Sequence, residues 1–153
     1  MDIFKFHDDN EIKTCNERQA MFLDRALTLA RKSTCHSQRH GCVIVKGDDI
    51  IAEGYNHTDV HLYHKFSVHA EVDALSKVKR DRKYLSKCDL YVVRIGTDRM
   101  GNPLKYSKPC HDCSKAIQKS GIRNIYYSSN AEYENAMYCY SSSSSTTSTS
   151  TSS

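Results

Sequence analysis

No run of about 18 apolar residues occurs anywhere in the chain, so no segment is long and apolar enough for a membrane-crossing helix. An apolar leader is missing too. The N-terminus reads MDIFKFHDDN, acidic where a secretory signal needs an apolar stretch. The expectation is an intracellular, cytoplasmic protein that is not secreted and has no membrane partner. Residues 141–153 contain only Ser and Thr. They offer nothing to bury and are predicted to be a disordered tail. A strong charge bias is also lacking, with 22 basic against 18 acidic residues and a net charge of +4. That balance is compatible with phosphate-bearing substrates, but it falls short of the concentrated basic face of a dedicated nucleic-acid binder. The nearest cluster, Lys77, Lys79, Arg80, Arg82 and Lys83, reads as a solvated helix end. Nor is there an even set of cysteines. The seven argue against a closed disulfide framework, and a Cys-x-x-Cys in a reducing compartment favours a metal site.

What is present suits one ordinary domain, since 39% of the 153 residues are hydrophobic and the length fits a single core. Asn16 with Gln19 has the form of a capping box. Met21, Phe22, Ala26, Leu29 and Ala30 follow a helical stripe, predicting a first helix over 17–33. Residues 42–45 and 50–55 flank the turn signal Gly47-Asp48-Asp49 and predict a hairpin. Residues 56–68 read as a loop. A second helix is predicted over 70–81 from Val72, Leu75 and Val78, and a third strand over 90–95. A polar loop over 96–108 leads to a third helix over 110–120 that ends at Gly121. A fourth strand over 122–127 follows, then a short helix over 130–138. Strand–helix–strand order predicts an α/β layer fold with crossover connections.

Two short segments carry chemistry. His69-Ala70-Glu71 opens the second helix and Pro109-Cys110-His111-Asp112-Cys113 opens the third. At a helix start, unpaired N–H groups and the positive end of the dipole favour thiolate. Cys110 and Cys113, three residues apart, can face one point from a single turn. One His and two Cys make three ligands for Zn2+, the number a catalytic zinc takes while keeping its fourth position for water. Such an ion lowers the pKa of that water toward about 7 and makes it a nucleophile. Glu71, a carboxylate beside the metal, is suited to move protons as base and then as acid. Each residue alone has a plainer reading. His69 would be an ordinary histidine and Glu71 a first-turn acid. Cys110 and Cys113 would be a redox pair, or half of a structural site completed by His111, Cys88 or Cys35.

The combination H-x-E…P-C-x-x-C is a known signature of zinc deaminases acting on nucleobases. Over residues 20–127 the chain resembles the cytidine deaminase superfamily, within it the CMP/dCMP type. Gly41-Cys42-Val43-Ile44-Val45-Lys46 looks like that family's first hairpin strand. Ile50-Ile51-Ala52-Glu53-Gly54-Tyr55-Asn56 looks like its second. Residues 110–122 look like the zinc helix of deoxycytidylate deaminases. The resemblance implies a three-layer α-β-α sandwich with a mixed sheet of four to five strands and helices on both faces. It implies an N-terminal extension over 1–15, the deaminase domain over 16–140 and the tail over 141–153. His69, Cys110 and Cys113 would bind zinc, Glu71 would shuttle protons, and Asn56 would hydrogen-bond the sugar. Asn56 also reads simply as the residue that closes the hairpin.

Three departures from the family stand out. The family usually enters Pro-Cys directly from its third strand. Here residues 96–108 intervene with Arg99, Lys105 and Lys108, as a lid, a phosphate-contacting loop or a solvated excursion. Dexoycytidylate deaminases often carry cysteines for a second zinc between the hairpin and His-x-Glu, whereas residues 57–68 have His57, His61 and His64 but no Cys. No convincing fifth strand follows Tyr127, which leaves a homo-oligomer open. The activity implied is hydrolytic deamination of a pyrimidine nucleotide, dCMP to dUMP and ammonia first among them. An editor of tRNA or single-stranded DNA is the alternative, needing a basic, aromatic groove that the ten scattered Tyr do not visibly form. A zinc-stabilised partner subunit without activity is the third reading, although such a chain would be expected to lose Glu71.

Overall fold

Alternating side chains on the central strands divide the core into two, and the fold follows from that division. The computed structural model describes residues 6–7, 10–14, 16–35, 38–58, 67–96, 104–128 and 136–141. Its elements are β1 (Phe6–His7), β2 (Asn10–Thr14), α1 (Glu17–Ala30), β3 (Arg39–Lys46), β4 (Asp49–Tyr55), β5 (His57–Thr58), β6 (Ser67–Val68), α2 (Ala70–Lys77), α3 (Arg82–Leu85), β7 (Asp89–Ile95), β8 (Leu104–Lys105), α4 (His111–Ser120), β9 (Asn124–Ser128) and β10 (Ala136–Ser141). The main sheet has the order β1-β2-β10-β9-β7-β3-β4, with β8 added beside β7. β7 and β9 are parallel and joined through α4, while the other pairs are antiparallel.

Along β3 and β7, Cys42, Ile44, Leu90 and Val92 join a core with Ala70 and Ala74 of α2 and Ile117 of α4. Their neighbours Val43, Val45, Tyr91, Val93 and Ile95 join a second core with Phe22, Leu23, Ala26, Leu29 and Ala30 of α1. Period-two alternation buried on both faces is what a sheet covered by helices on each side requires. The result is the three-layer α-β-α arrangement expected of the resemblance. No helix among the described residues is long and apolar enough to cross a membrane.

Two glycines set how closely the helices approach. A Cβ at Gly41 on β3 would stand 2.0 Å from the carbonyl oxygen of Ala26 and 2.6 Å from the amide of Ala30. A Cβ at Gly54 on β4 would stand 2.5 Å from both the Ala70 oxygen and the Ala74 amide. Gly41 thus faces an alanine pair one turn apart on α1, and Gly54 faces the matching pair on α2. At the far end of the sheet, buried Asp89 receives Arg123 through Nε at 3.1 Å and Nη2 at 3.0 Å, and Asn124 at 3.1 Å. That bidentate contact ties the start of β7 to the start of its parallel neighbour β9.

Several expectations change. The predicted capping box forms, with Asn16 and Gln19 each bonding the other's backbone. Met21, placed in the helical stripe, is 71% exposed and Leu23 takes its place in the core. Val72 is also exposed, because α2 buries Ala70, Glu71 and Ala74 instead. The second helix stops at Lys77, and Asp81 caps the separate short α3. The expected final helix over 130–138 is contradicted where it is described. Residues 136–138 belong to β10, an antiparallel partner of β9, and residues 130–135 lie outside the described residues. Met137-Tyr138-Cys139-Tyr140 is a short continuous apolar run, which periodicity alone does not separate from a helix. β10 also pairs with β2, so residues 10–14 join the same sheet. It has eight strands where four to five were expected, because β10, β2 and β1 continue the sheet beyond β9 and β8 adds to β7. The 56–68 loop begins and ends in the two-residue ladder of β5 and β6. His61, His64 and Arg99 lie outside the described residues, as do residues 142–153 of the tail.

Gly41→Ala should lower unfolding stability by about 3 kcal/mol or more, because backbone atoms of α1 must move. Gly47→Ala meets nothing within 4 Å and bears only the strain of φ +61°, so about 1 kcal/mol is expected. Urea denaturation of the two variants compares them directly. Equal, small losses would refute the close helix–strand approach.

Candidate active site

Both chemical segments begin helices on the same side of the sheet, and each begins in an unusual way. N-cap positions favour Ser, Thr, Asp and Asn, whose oxygens satisfy free amides of the first turn. Here His69 occupies the N-cap of α2 and Cys110 that of α4. The His69 side chain makes no capping bond. Cys110 Sγ accepts only a long 3.5 Å contact from the Cys113 amide. Two helix starts therefore forgo a strong cap and aim imidazole and sulfur elsewhere.

They aim at each other. His69 Nδ1 is 3.1 Å from Cys113 Sγ and 3.7 Å from Cys110 Sγ. The three donor atoms all lie within 4.8 Å of one another. Among the described residues no other His, Cys, Asp or Glu joins this group. Of the three residues considered as a fourth ligand, Cys88 is buried in the core with its thiol donating to Tyr84 O. His111 is exposed on the first turn of α4. Cys35 lines the neighbouring pocket outside the donor group. Cys110 and Cys113 are free thiols.

Glu71 is 4% exposed. Burial pushes its carboxyl above the ordinary range, while its own backbone amide, the His69 ring and a hydrogen bond with the Cys113 side chain oppose the rise. The helix start alone does not favour thiolate at Cys113 without a metal beside it. Burial pushes its thiol well up, and the nearby Glu71 carboxylate and Cys110 raise it further. Sulfur, imidazole and carboxylate are packed together. A dication among these donors would reverse that balance and make thiolate the stable form. Two sulfurs and one imidazole, three donors rather than four, fit zinc with an open position.

The donor group opens into a pocket of about 470 Å³ whose lining includes His69, Glu71, Cys110, Asn56, His40, Arg94, Ser107 and Lys108. That volume is in the range of small-molecule sites. Asn56 is buried at its wall. Its Oδ1 accepts from the His40 amide at 2.7 Å and its Nδ2 donates to Gln38 O at 2.6 Å. The side chain therefore ties the end of β4 to the chain entering β3, as the hairpin-closing reading expected. Among the described residues these two contacts leave one amide hydrogen and one lone pair of the side chain unused.

Sequence reasoning missed His40, Arg94 and Ser107. His40 and Arg94 are register partners on β3 and β7, and only strand pairing brings them together. Burial holds the His40 ring neutral, lowering its pKa to about 4, with Arg94 and His69 acting in the same direction. Ser107 is buried and donates to Val92 O at 3.0 Å, while its hydroxyl accepts from the Ser128 amide at 2.7 Å. It pins the end of the 96–108 excursion against the sheet. That excursion is no plain solvated loop at this end, because residues 106–108 line the pocket.

A mixed sheet that presents imidazole, two thiols and a buried carboxyl from two helix starts defines a zinc-binding α/β domain of the deaminase class. Residues 16–129 match the family described as the cytidine and deoxycytidylate deaminase zinc-binding region, and the chain belongs to that family. It is 33% identical over 114 residues to a deoxycytidylate deaminase of Saccharomyces cerevisiae, covering 71% of this chain and 36% of that protein. It is 28% identical over 120 residues to a probable cytosine deaminase of Schizosaccharomyces pombe, covering 76% of this chain and 64% of that protein. The chain thus spans about a third of the length of the first relative. In fold it is similar to the dCMP deaminase of cyanophage S-TIM5 in complex with dCMP and dUMP, with a TM-score of 0.58 and 23% identity. That likeness covers 75% of this chain and 83% of the phage chain. Family and donor cluster together make zinc the cofactor of this domain.

About one zinc per chain is expected after dialysis against a mild chelator. Cys113→Ala, which removes the buried sulfur, should come through the same dialysis nearly zinc-free, as measured by elemental analysis. Full retention of the ion would place the site elsewhere.

Proposed function

We propose that the chain is a zinc-dependent aminohydrolase acting on a cytosine nucleotide, with dCMP converted to dUMP and ammonia as its leading reaction. His69, Cys110 and Cys113 hold the metal, Glu71 moves the protons and Asn56 contacts the sugar. The observation that carries this reading is the buried Glu71 carboxyl beside the three-donor cluster at one end of the pocket. The likeness to a deoxycytidylate deaminase supports the choice of base and sugar.

Zinc, when bound, supplies a Lewis acid that makes water a nucleophile near neutral pH. The remaining work falls to the chain. Glu71 sits on the first turn of α2, fixed by its own backbone amide and by Cys113. It is placed to take a proton at its carboxylate and return it to the departing amine, so that ammonia rather than amide ion leaves. Desolvation is suited to that exchange, since a buried carboxyl holds a proton more readily than an exposed one. Asn56 is already fixed through two backbone contacts, so its free amide valences meet a sugar hydroxyl without further ordering.

Ammonia release from zinc-loaded protein should be measured on dCMP, CMP, deoxycytidine, cytidine and cytosine. No turnover of any of them would sink the reading. Deamination of single-stranded DNA or tRNA alone would move it to a nucleic-acid editor. Glu71→Gln should retain zinc and its unfolding midpoint while kcat falls by about 10²- to 10⁴-fold. Unchanged kcat would remove Glu71 from the chemistry.

A further inference from the structure

The parallel pairing of β7 with β9 ends at Val92 and Tyr127. One step beyond, two side chains take over from the ladder. The Ser107 hydroxyl donates to Val92 O at 3.0 Å and accepts from the Ser128 amide at 2.7 Å. The Ser128 hydroxyl donates to the Ser107 hydroxyl at 2.7 Å and accepts from the Arg94 amide at 3.2 Å. The Ser107 amide donates to Ser128 O at 3.1 Å. Both serines are buried. A hydroxyl has one hydrogen and two lone pairs, and Ser107 uses all three. Because Val92 O can only accept, the proton of Ser107 must point to it, and that of Ser128 must then point to Ser107. The chain of bonds leaves β7 at the Arg94 amide and returns to it at Val92 O. Cutting it in the middle would leave buried backbone groups unmet, which is costly.

What the pair holds is a wall of the pocket. Arg94, Tyr106 and Lys108 line that wall. Arg94 Nη1 reaches Tyr106 O at a long 3.4 Å, and every serine bond is shorter. Ser128 grips Arg94 by its amide, and Ser107 stands between Tyr106 and Lys108 in the chain. The two hydroxyls therefore fix both sides of the wall at once. The start of α4 is secured separately. The Ser114 amide donates to Cys110 O at 2.8 Å and the Ser114 hydroxyl to Pro109 O at 3.3 Å.

We infer that Ser107 and Ser128 are positioning residues for substrate binding. They act as one hydrogen-bonded unit that holds Arg94 and residues 106–108 in the shape that receives the substrate. Their effect falls on substrate affinity and not on the metal. The inference rests on the proposed reaction for the substrate that reads it out.

The test compares zinc-loaded wild type with Ser107→Ala, Ser128→Ala and the double variant, using dCMP. Each single change should raise KM by about 10-fold, with kcat within about threefold and zinc content unchanged. The double variant should raise KM no further than the larger single change, as expected of one unit. Effects that multiply would overturn the pairing. Ser128→Ala keeps the bond from Ser107 to Val92, so it carries the test should Ser107→Ala fail to fold. Asn124→Ala removes a bond to Asp89 at the opposite end of the same strand pair. It should lower the unfolding midpoint and leave KM unchanged, which separates positioning from loss of stability. An equal rise of KM in Asn124→Ala, an unchanged KM in the serine variants, or loss of zinc from them would overturn the inference. Calorimetry with dUMP reads the wall without turnover, and the affinity should fall by about 10-fold in Ser128→Ala. If wild type deaminates nothing, the proposed reaction fails and dUMP binding decides the positioning role alone. Equal affinity in wild type and Ser128→Ala, or no binding to wild type, would overturn it.

Discussion

A 3.1 Å approach between His69 Nδ1 and Cys113 Sγ joins residues 44 apart in sequence, and the rest of the site depends on it. Neither helix start has value as a metal site alone. α2 brings the imidazole and the carboxyl, α4 brings the sulfurs, and the sheet sets the distance between them. On one side the distance is fixed by Gly54, which lets α2 sit with backbone against backbone on β4. On the other it is fixed by the parallel pair β7 and β9, with α4 between them in sequence and Ile117 fully buried beneath it. Aspartate 89, Arg123 and Asn124 lock that pair at its far end.

Local preferences are sacrificed where the two starts meet. His69 and Cys110 hold positions at which Ser or Asp would cap better. Glu71 is buried where an exposed acid would be cheaper, and Cys113 is buried beside it. Such conflicts between local rule and global structure mark functional sites. A bound dication removes several of them at once, since it gives the sulfurs a partner, holds the imidazole and relieves the crowding of acidic groups.

The central architecture was legible from residues. Capping residues Asn16 and Gln19, the turn at Gly47 and the helix stop at Gly121 all read correctly because their signals are local. The segments 69–71 and 109–113 were legible for the same reason, since each motif fits within one helical turn. What escaped depends on strand neighbours. Met21 and Leu23 both suit a helix stripe, and only the placement of α1 on β3 selects Leu23. β10 was hidden because its pairing partners, β2 and β9, are far away in sequence. The pairing of His40 with Arg94 is invisible until β3 and β7 are aligned. Asn56 was placed at the site, but its bonds to the backbone at residues 38 and 40 show that it serves the hairpin as well.

The 96–108 excursion shows how a pocket wall is altered without disturbing the engine beside it. Leu104 and Lys105 pair back onto Ile95 and Arg94, so the added chain leaves and returns along one strand edge. Ser107 then re-enters the core, bonded to Val92 and Ser128, and Pro109 resumes the path into α4. The pairing of β8 with β7 brings the chain back to the sheet five residues before Cys110. The same closure holds Tyr106 and Lys108 at the pocket and lets Arg94 lie along its wall. The helix starts carry the donor group, and the returning end of the hairpin carries part of the pocket wall beside it.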